Sequence, residues 1–370
     1  NEDYMPFIHS LTENTIKGYL SMPVFGAGTS NSEFEFLSGD SISFLPTGCN
    51  VYQSYVKDSI PSLVSTLGSL GYSKTAFHPY YGDGWNRRNV YPLLGFDNYI
   101  SIEDFVDQDI LDTYKQNNDV TQYETLLKER YPDRDMLLRR FVSDSYDYSM
   151  VENMFENRDT SKPFFLFNVT MQNHGGYSQS TLKGYEPDVK LNYETEYPEA
   201  QTYLSLARES DKAFQNLVEY FEKVDEPTMI VMFGDHWPKL EEGFLAEVLG
   251  KDREKLDLFE SQVTYTTPYV IWTNYSSETA EEDISANYLG SYVLFKAGIS
   301  LPFYNQFLMK LKKQLPVIGV GAVCDQEGNW YASEDLPDNY RQFLSDYNIL
   351  EYNNQFEKKD VIESLFTIGN

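Results

Sequence analysis

Apolar residues fall into two kinds of run along this chain. Ser73–Phe77, Phe164–Met171, Met229–Phe233 and Tyr269–Thr273 are short and nearly unbroken, the signature of strands covered on both faces. Between them lie stretches whose apolar positions recur three and four apart. Ala200–Phe221 is the clearest, with Leu204, Ala207, Phe214, Leu217 and Phe221 on one face of a long helix. Ile60–Leu70, Tyr123–Arg130, Met136–Phe141 and Tyr146–Phe155 also read as helical, the last with Asp144 as its cap. Asn31–Leu37 follows the glycine-rich Gly26-Ala27-Gly28-Thr29-Ser30 and reads as a helix start, where Ser30 and Glu33 have the spacing of a capping box. Gly184–Glu199 is polar and punctuated by proline, a surface loop. Beyond Pro302 the character changes. Val317–Val323 and Trp330–Ala332 flank a turn over Cys324-Asp325-Gln326-Glu327-Gly328-Asn329, and Tyr340–Tyr347 is helical. Strands alternating with helices predict an α/β fold, with a mostly parallel sheet flanked by helices in residues 1–301 and a small α+β subdomain in residues 302–370.

Charge and composition narrow the functions that fit. The net charge is −28, which argues against nucleic acid, whose binders carry basic patches. It also repels anionic lipid surfaces, although salt screens that field within roughly 10 Å, and Arg87-Arg88 remains a local spot able to hold an anion. No apolar run approaches the roughly 20 residues of a membrane helix. The two cysteines, Cys49 and Cys324, have no CxxC spacing, so a thiolate zinc site is excluded and free thiols are expected. The chain opens at Asn1 rather than methionine, so an upstream segment is expected to have been removed.

The placement of histidine says more. The chain has four, and three follow strand-like runs: His78 after Ser73–Phe77, His174 after Phe164–Met171, His236 after Met229–Phe233. Ligands of open α/β sheets bind beyond the carboxyl ends of the strands, and imidazole is both a metal ligand and a proton shuttle near neutral pH. Asp235-His236, after Gly234, pairs a carboxylate with an imidazole and fits either a divalent metal or a capped turn. Thr29 opens a helix after two glycines, where free N–H groups favour an anion; it fits a nucleophile or a plain helix start. His78, Trp85 and Arg87 lie within ten residues, offering an imidazole, an indole to cover a sugar or glycerol, and a guanidinium that matches phosphate with two parallel hydrogen bonds. His174 stands before Gly175-Gly176 in an open loop. His9, in an amphipathic segment, is expected to serve packing.

Together the segments Gly28–Phe34, His78–Arg87, Met171–His174 and Phe233–His236 resemble the sulfatase-like branch of the alkaline phosphatase superfamily, most closely the extracellular domains of lipoteichoic acid synthase and related phosphoglycerol transferases. The resemblance implies an alkaline-phosphatase-like fold and a phosphotransferase with Thr29 as nucleophile, forming a phospho-threonine. Thr29, Asp235 and His236 would hold one divalent metal ion, manganese before magnesium or zinc. His78, Trp85, Arg87 and His174 would bind the substrate, His174 also acting in catalysis. The implied partners are a phospholipid headgroup or a glycerol-phosphate polymer, on the extracellular face of a bacterial membrane to which the full-length protein is anchored. A phosphoethanolamine transferase, a phosphodiesterase or a non-catalytic headgroup binder would share these features. Two departures stand out. The family carries an acidic metal ligand on its first strand, and nothing of that kind precedes Met5. That ligand is expected upstream of Asn1, so residues 1–370 are expected to lack a strand near the sheet centre and to bind metal weakly. Neither cysteine lies in the Cys/Ser-x-Pro-x-Arg motif that true sulfatases oxidise, and Thr29 cannot undergo that conversion, so sulfate-ester hydrolysis is not expected.

Overall fold

The computed structural model describes residues 3–357 and 361–369. Its strands in chain order are β1 (Thr15–Ser21), β2 (Ser73–His78), β3 (Asn98–Ser101), β4 (Leu137–Leu138), β5 (Phe141–Val142), β6 (Phe164–Asn168), β7 (Met229–Phe233), β8 (Thr266–Thr273), β9 (Ala280–Glu281), β10 (Ile284–Ser285), β11 (Val317–Ile318), β12 (Ala322–Cys324) and β13 (Trp330–Ala332). The helices are α1 (Pro6–Ser10), α2 (Thr29–Ser38), α3 (Val51–Ser54), α4 (Leu63–Ser69), α5 (Arg87–Leu94), α6 (Gln108–Asn117), α7 (Val120–Arg130), α8 (Asp144–Glu156), α9 (Pro198–Phe221), α10 (Glu242–Leu249), α11 (Ala286–Lys296), α12 (Phe303–Gln314), α13 (Asp338–Gln355) and α14 (Glu363–Phe366).

The α/β fold is as expected, and its sheet is mixed rather than parallel throughout. Strands β3, β2 and β6 form a parallel set. A second set runs β10-β1-β8-β7, in which β8 is antiparallel to both β1 and β7, while β9 and β10 pair parallel with β1. The strand β8 arrives by a long excursion from β7 through α10, so it can return antiparallel without a crossover helix. Helices cover both faces. Leu20, Phe34, Phe36, Leu63, Leu67 and Leu289 belong to the core on the α2, α4 and α11 side; Phe77, Phe214, Leu217, Phe221, Val270 and Trp272 belong to the core under α9.

Local chemistry explains most element ends. Ser62 caps α4, reciprocally with Ser65, and Ser143 caps α8 through Tyr146 N at 3.2 Å, one residue before the expected Asp144. The helix α2 starts at Thr29 on Gly28, a residue with φ +108 that offers no side-chain cap, so the expected Ser30–Glu33 box is absent. Met136–Phe141 is not helical. Arg139 has φ +60 there and the segment becomes the two-residue ladder of β4 and β5, because a turn over Arg139-Arg140 satisfies its backbone more locally than a helix would. His9 does not pack. Its ring is exposed and sits 2.9 Å from Asp3.

The strands β11, β12 and β13 form a separate antiparallel sheet, closed by Asp325, whose Oδ1 accepts from Glu327 N and Asn329 N at 2.9 Å each. The helix α12 begins at Phe303, beside the expected boundary, and its core reaches back to Tyr288 of α11, which donates its hydroxyl to Leu315 O at 3.0 Å. Both cysteines are free thiols. Among the described residues no helix is long and apolar enough to cross a membrane.

Candidate active site

The carboxyl ends of β6, β7 and β2, together with the amino end of α2, open on one cavity of about 1920 Å³ that Thr29, His78, Trp85, Arg87, His174, Asp235 and His236 all line. Each side chain that the sequence singled out therefore reaches the same space.

Thr29 and Asp235 are in direct contact. Thr29 Oγ1 donates to Asp235 Oδ2 at 2.6 Å, a short charge-assisted bond. The same oxygen lies 3.2 Å from His236 Nε2. The ring of His236 is turned by its other nitrogen, Nδ1, which lies 2.8 Å from Trp237 O and donates to it, leaving the Nε2 lone pair toward the carboxylate. Three further bonds lock the two loops together. Ser32 Oγ donates to Asp235 O at 2.7 Å, Gly26 N to Trp237 O at 2.9 Å, and Thr267 Oγ1 to Gly234 O at 2.7 Å. Gly26 needs its missing side chain, since φ is +74 and a Cβ would stand 2.9 Å from Lys239 Cγ. Hydroxyl, carboxylate and imidazole make a donor set suited to a divalent ion. Among the described residues no group of three or more His, Cys, Asp or Glu side chains is placed to hold a metal ion, and the carboxylate and imidazole here number one each.

The substrate-side residues divide. Trp85 is 37% exposed, with φ +55, a left-handed conformation costly for a bulky residue and held here by Asn86, which donates to Tyr52 O at 3.0 Å. Arg87 is different. It is 2% exposed, and its Nε and Nη2 are both engaged by Glu33 of α2, with Nε to Oε1 at 3.0 Å; Tyr91 also donates to Glu33, at 2.9 Å. Two of its three nitrogens are committed, so the expected two-pronged phosphate contact is reduced to what Nη1 can offer. His78 is 3% exposed, its Nδ1 2.7 Å from Val169 O. Burial, helped by the charge of Arg87, pushes its imidazole down to about 3, so it stays neutral and donates to that carbonyl. His174 reaches solvent at the rim, and Phe141 meets its ring edge-on at 5.5 Å. The protein mass around the loop nevertheless lowers its pKa, and Arg140 adds to the shift.

Arg139 was not anticipated from sequence. It donates to the carbonyls of Gln172, His174 and Gly176 at 3.0, 3.1 and 2.9 Å, and Arg140 donates to Gly175 O at 2.9 Å. These two cations set the shape of the His174 loop. The signal available was a dibasic pair in a strongly acidic chain.

The sulfatase family signature matches residues 2–299. The chain belongs to the sulfatase family. Its fold is the alkaline-phosphatase-like α/β fold, as in the Streptococcus pyogenes phosphoglycerol transferase GacH in complex with sn-glycerol-1-phosphate, which is similar at a TM-score of 0.73 and 18% identity over 100% of this chain and 84% of that one. The lipoteichoic acid synthase LtaP of Listeria monocytogenes is similar at a TM-score of 0.64 and 15% identity, over 96% and 88%. Among curated proteins, one of Rhizobium meliloti (strain 1021), named for cyclic beta-1,2-glucan modification, is 29% identical over 98% of this chain and 53% of its own length. This sulfatase-family domain thus spans about half the length of that relative.

Proposed function

We propose that this domain transfers a phosphoglycerol group from a glycerophospholipid to a hydroxyl of a cell-envelope glycan, through a phospho-threonine at Thr29. The observation that carries the reading is the Thr29 Oγ1–Asp235 Oδ2 contact of 2.6 Å at the amino end of a helix whose first N–H groups have no side-chain cap. A divalent ion held by Thr29, Asp235 and His236, manganese by the resemblance, would stabilise negative charge on oxygen at this edge.

The residues of this chain supply the rest. Thr29 Oγ attacks phosphorus in line; the Oγ–P bond forms and the bond from phosphorus to the lipid oxygen breaks. The hydroxyl proton is already shared with Asp235, and the departing diacylglycerol oxygen takes a proton from solvent. In the second half an acceptor hydroxyl attacks, the Oγ–P bond breaks and Thr29 is restored. His174, its pKa lowered by burial, suits the role of base toward that hydroxyl and of donor to a phosphoryl oxygen. Trp85, exposed and fixed, is placed to cover the glycerol. The similarity to a transferase complexed with sn-glycerol-1-phosphate supports the donor group, and the relative named for glucan modification supports a glycan acceptor. Attachment to the outer face of a bacterial membrane is part of the same reading.

The test is transfer of labelled glycerol phosphate from phosphatidylglycerol to an oligoglucan. The wild-type protein labels the glucan and Thr29→Ala does not. Label appearing only as free glycerol phosphate in both would remove the transferase reading.

A further inference from the structure

The loop that carries His174 is held by side chains rather than by its own backbone. Among the described residues, the five consecutive carbonyls from Gln172 to Gly176 accept hydrogen bonds from side chains alone. Tyr177 donates its hydroxyl to Asn173 O at 2.7 Å, and Arg140 donates to Gly175 O at 2.9 Å. The other three carbonyls, of Gln172, His174 and Gly176, converge on the guanidinium of Arg139. Thr181 adds a second bond to Gly176 O at 2.6 Å. Inside the loop, His174 N donates to Met171 O at 3.0 Å. The entry of the loop is fastened separately: Gln172 Oε1 accepts from Asp144 N at 3.0 Å, and the Gln172 and Asn173 amides donate to Ser210 of α9 at 3.0 and 2.8 Å. Past Asn173 the turn over Arg139-Arg140 is the main restraint.

Two features of Arg139 lower stability. It is 4% exposed, yet no carboxylate pairs with it among the described residues, in a chain of 57 Asp and Glu against 29 Lys and Arg. Its φ of +60 is a left-handed conformation that costs a residue with a side chain. Carbonyl dipoles and the rings of Phe141 and Tyr177, 5.8 and 5.7 Å from Cζ, answer its charge, and its Nε has no partner among the described residues. Burial lowers its pKa to about 10, which still leaves it charged at neutral pH. Both features serve one geometric end. The turn between β4 and β5 aims a planar fork at carbonyls two residues apart, Nη2 taking Gln172 O and His174 O while Nη1 takes Gly176 O. The next residue but one, Phe141, sets its ring against His174 at 5.5 Å. Arg139 does not line the cavity, whereas Asn173, His174, Gly175 and Gly176 do. Whatever it does for the site it does through that loop.

We propose that Arg139 is a positioning residue of this site: by drawing the carbonyls of Gln172, His174 and Gly176 onto one guanidinium, it holds the His174 imidazole where the acceptor hydroxyl meets phosphorus. The inference rests on the reading of His174 as the group that serves that hydroxyl. Holding a reacting group in place is worth a large factor in rate, and a drift of about 1 Å costs about 100-fold. Arg139 makes and breaks no bond and touches no substrate. Its loss therefore falls on kcat. The donor KM and manganese binding depend on Trp85 and Asp235, which stand on other elements, and change little.

The experiment uses Arg139→Met, which keeps an unbranched side chain and removes every donor. Its kcat for transfer to glucan falls about 100-fold while the donor KM stays within about twofold. In a His174→Gln background the same substitution changes kcat by less than about threefold, because the two residues act as a unit. With no substrate present, the His174 amide exchanges with solvent at least about 10-fold faster than in the wild type, and the amides of α8 and α9 keep their rates. Should Arg139→Met fail to fold, Arg139→Lys keeps the buried charge and loses the planar fork, with the same pattern expected at about 10-fold in kcat. Equal exchange of the His174 amide in wild type and variant overturns the inference. So do losses that multiply in the double variant, and a loss confined to KM. A wild-type protein that transfers no glycerol phosphate defeats the reading of the reaction instead, and the exchange comparison then decides by itself whether Arg139 holds the loop.

Discussion

The two ends of α2 both gather carboxylates, and they handle them in opposite ways. At the amino end a single carboxylate, Asp235, is partly open to solvent and touches a hydroxyl and an imidazole. At the carboxyl end three carboxyls, Glu35, Asp40 and Glu351, are all at most 2% exposed. They are held by neutral donors: Ser41 Oγ and Ile42 N on Glu35, Tyr304 and Asn354 on Asp40, Ser41 N on Glu351. Between the ends Glu33 is buried too, paired with Arg87. A carboxylate can be charged where solvent or a cation answers it; where neither does, burial raises its pKa and it keeps a proton. The first arrangement is suited to chemistry, the second to clamping α13 onto α2.

The comparison breaks most sharply if the amino end is dispensable. Thr29→Ala is expected to lower transfer by at least about 1000-fold with no change in thermal midpoint, because it removes a nucleophile and no packing. Substantial residual turnover in a steady-state assay would end the distinction between the two ends. Asp235→Ala should abolish calorimetric manganese binding. Wild-type protein should itself bind weakly, because among the described residues the site brings together only one carboxylate and one imidazole.

Arg87→Ala tests the middle of the helix. It leaves the Glu33 carboxyl buried without its cation, so urea unfolding should show a loss of about 3–5 kcal/mol. A stable protein with lost turnover would instead make Arg87 chiefly a phosphate ligand.

The carboxyl end predicts a stability that depends on pH. Glu35 is raised to about 8 and Asp40 to about 7, mainly by burial, and burial also raises Glu351. The folded protein therefore keeps protons that the unfolded chain releases near pH 4. Their contribution is fully present below that pH and is lost as pH rises through about 7 to 8. Glu351→Gln should flatten the fall of thermal midpoint between pH 5 and 9 and raise it by a few degrees at the alkaline end, read by calorimetry. A smaller effect concerns the rim. The acid limb that His174→Gln removes from the rate profile should lie below the ordinary imidazole value of about 6.5. Trp85→Ala should raise KM by about 10-fold with kcat nearly unchanged, since it covers the substrate and takes no part in bond making.

Legibility in the sequence followed the range of the interactions. Strands β2, β7 and β8 and the helix α9 were readable because their apolar patterns are long and self-contained. The convergence of Thr29, His174, Asp235 and His236 on one cavity was readable because strand ends deliver the last three and a glycine-led helix start delivers Thr29. The turn at Arg139-Arg140 was not, since two-residue strands carry no period, and the role of Arg139 depends on carbonyls 33 to 37 residues away. The capture of Arg87 by Glu33 across 54 residues was equally invisible, because a guanidinium suited to phosphate is also suited to a carboxylate. His9 failed for the opposite reason: an amphipathic pattern hid a contact with Asp3 six residues away.

The most direct test of the central claim is to trap the covalent intermediate. Wild-type protein, a glycerophospholipid donor and manganese would be mixed without acceptor, quenched in acid, digested and mapped by tandem mass spectrometry. One glycerol-phosphate group on Thr29, absent from Thr29→Ala and chased off by added glucan, is the predicted result. The same group on another residue, or glucan labelled by the Thr29→Ala variant, would contradict the account.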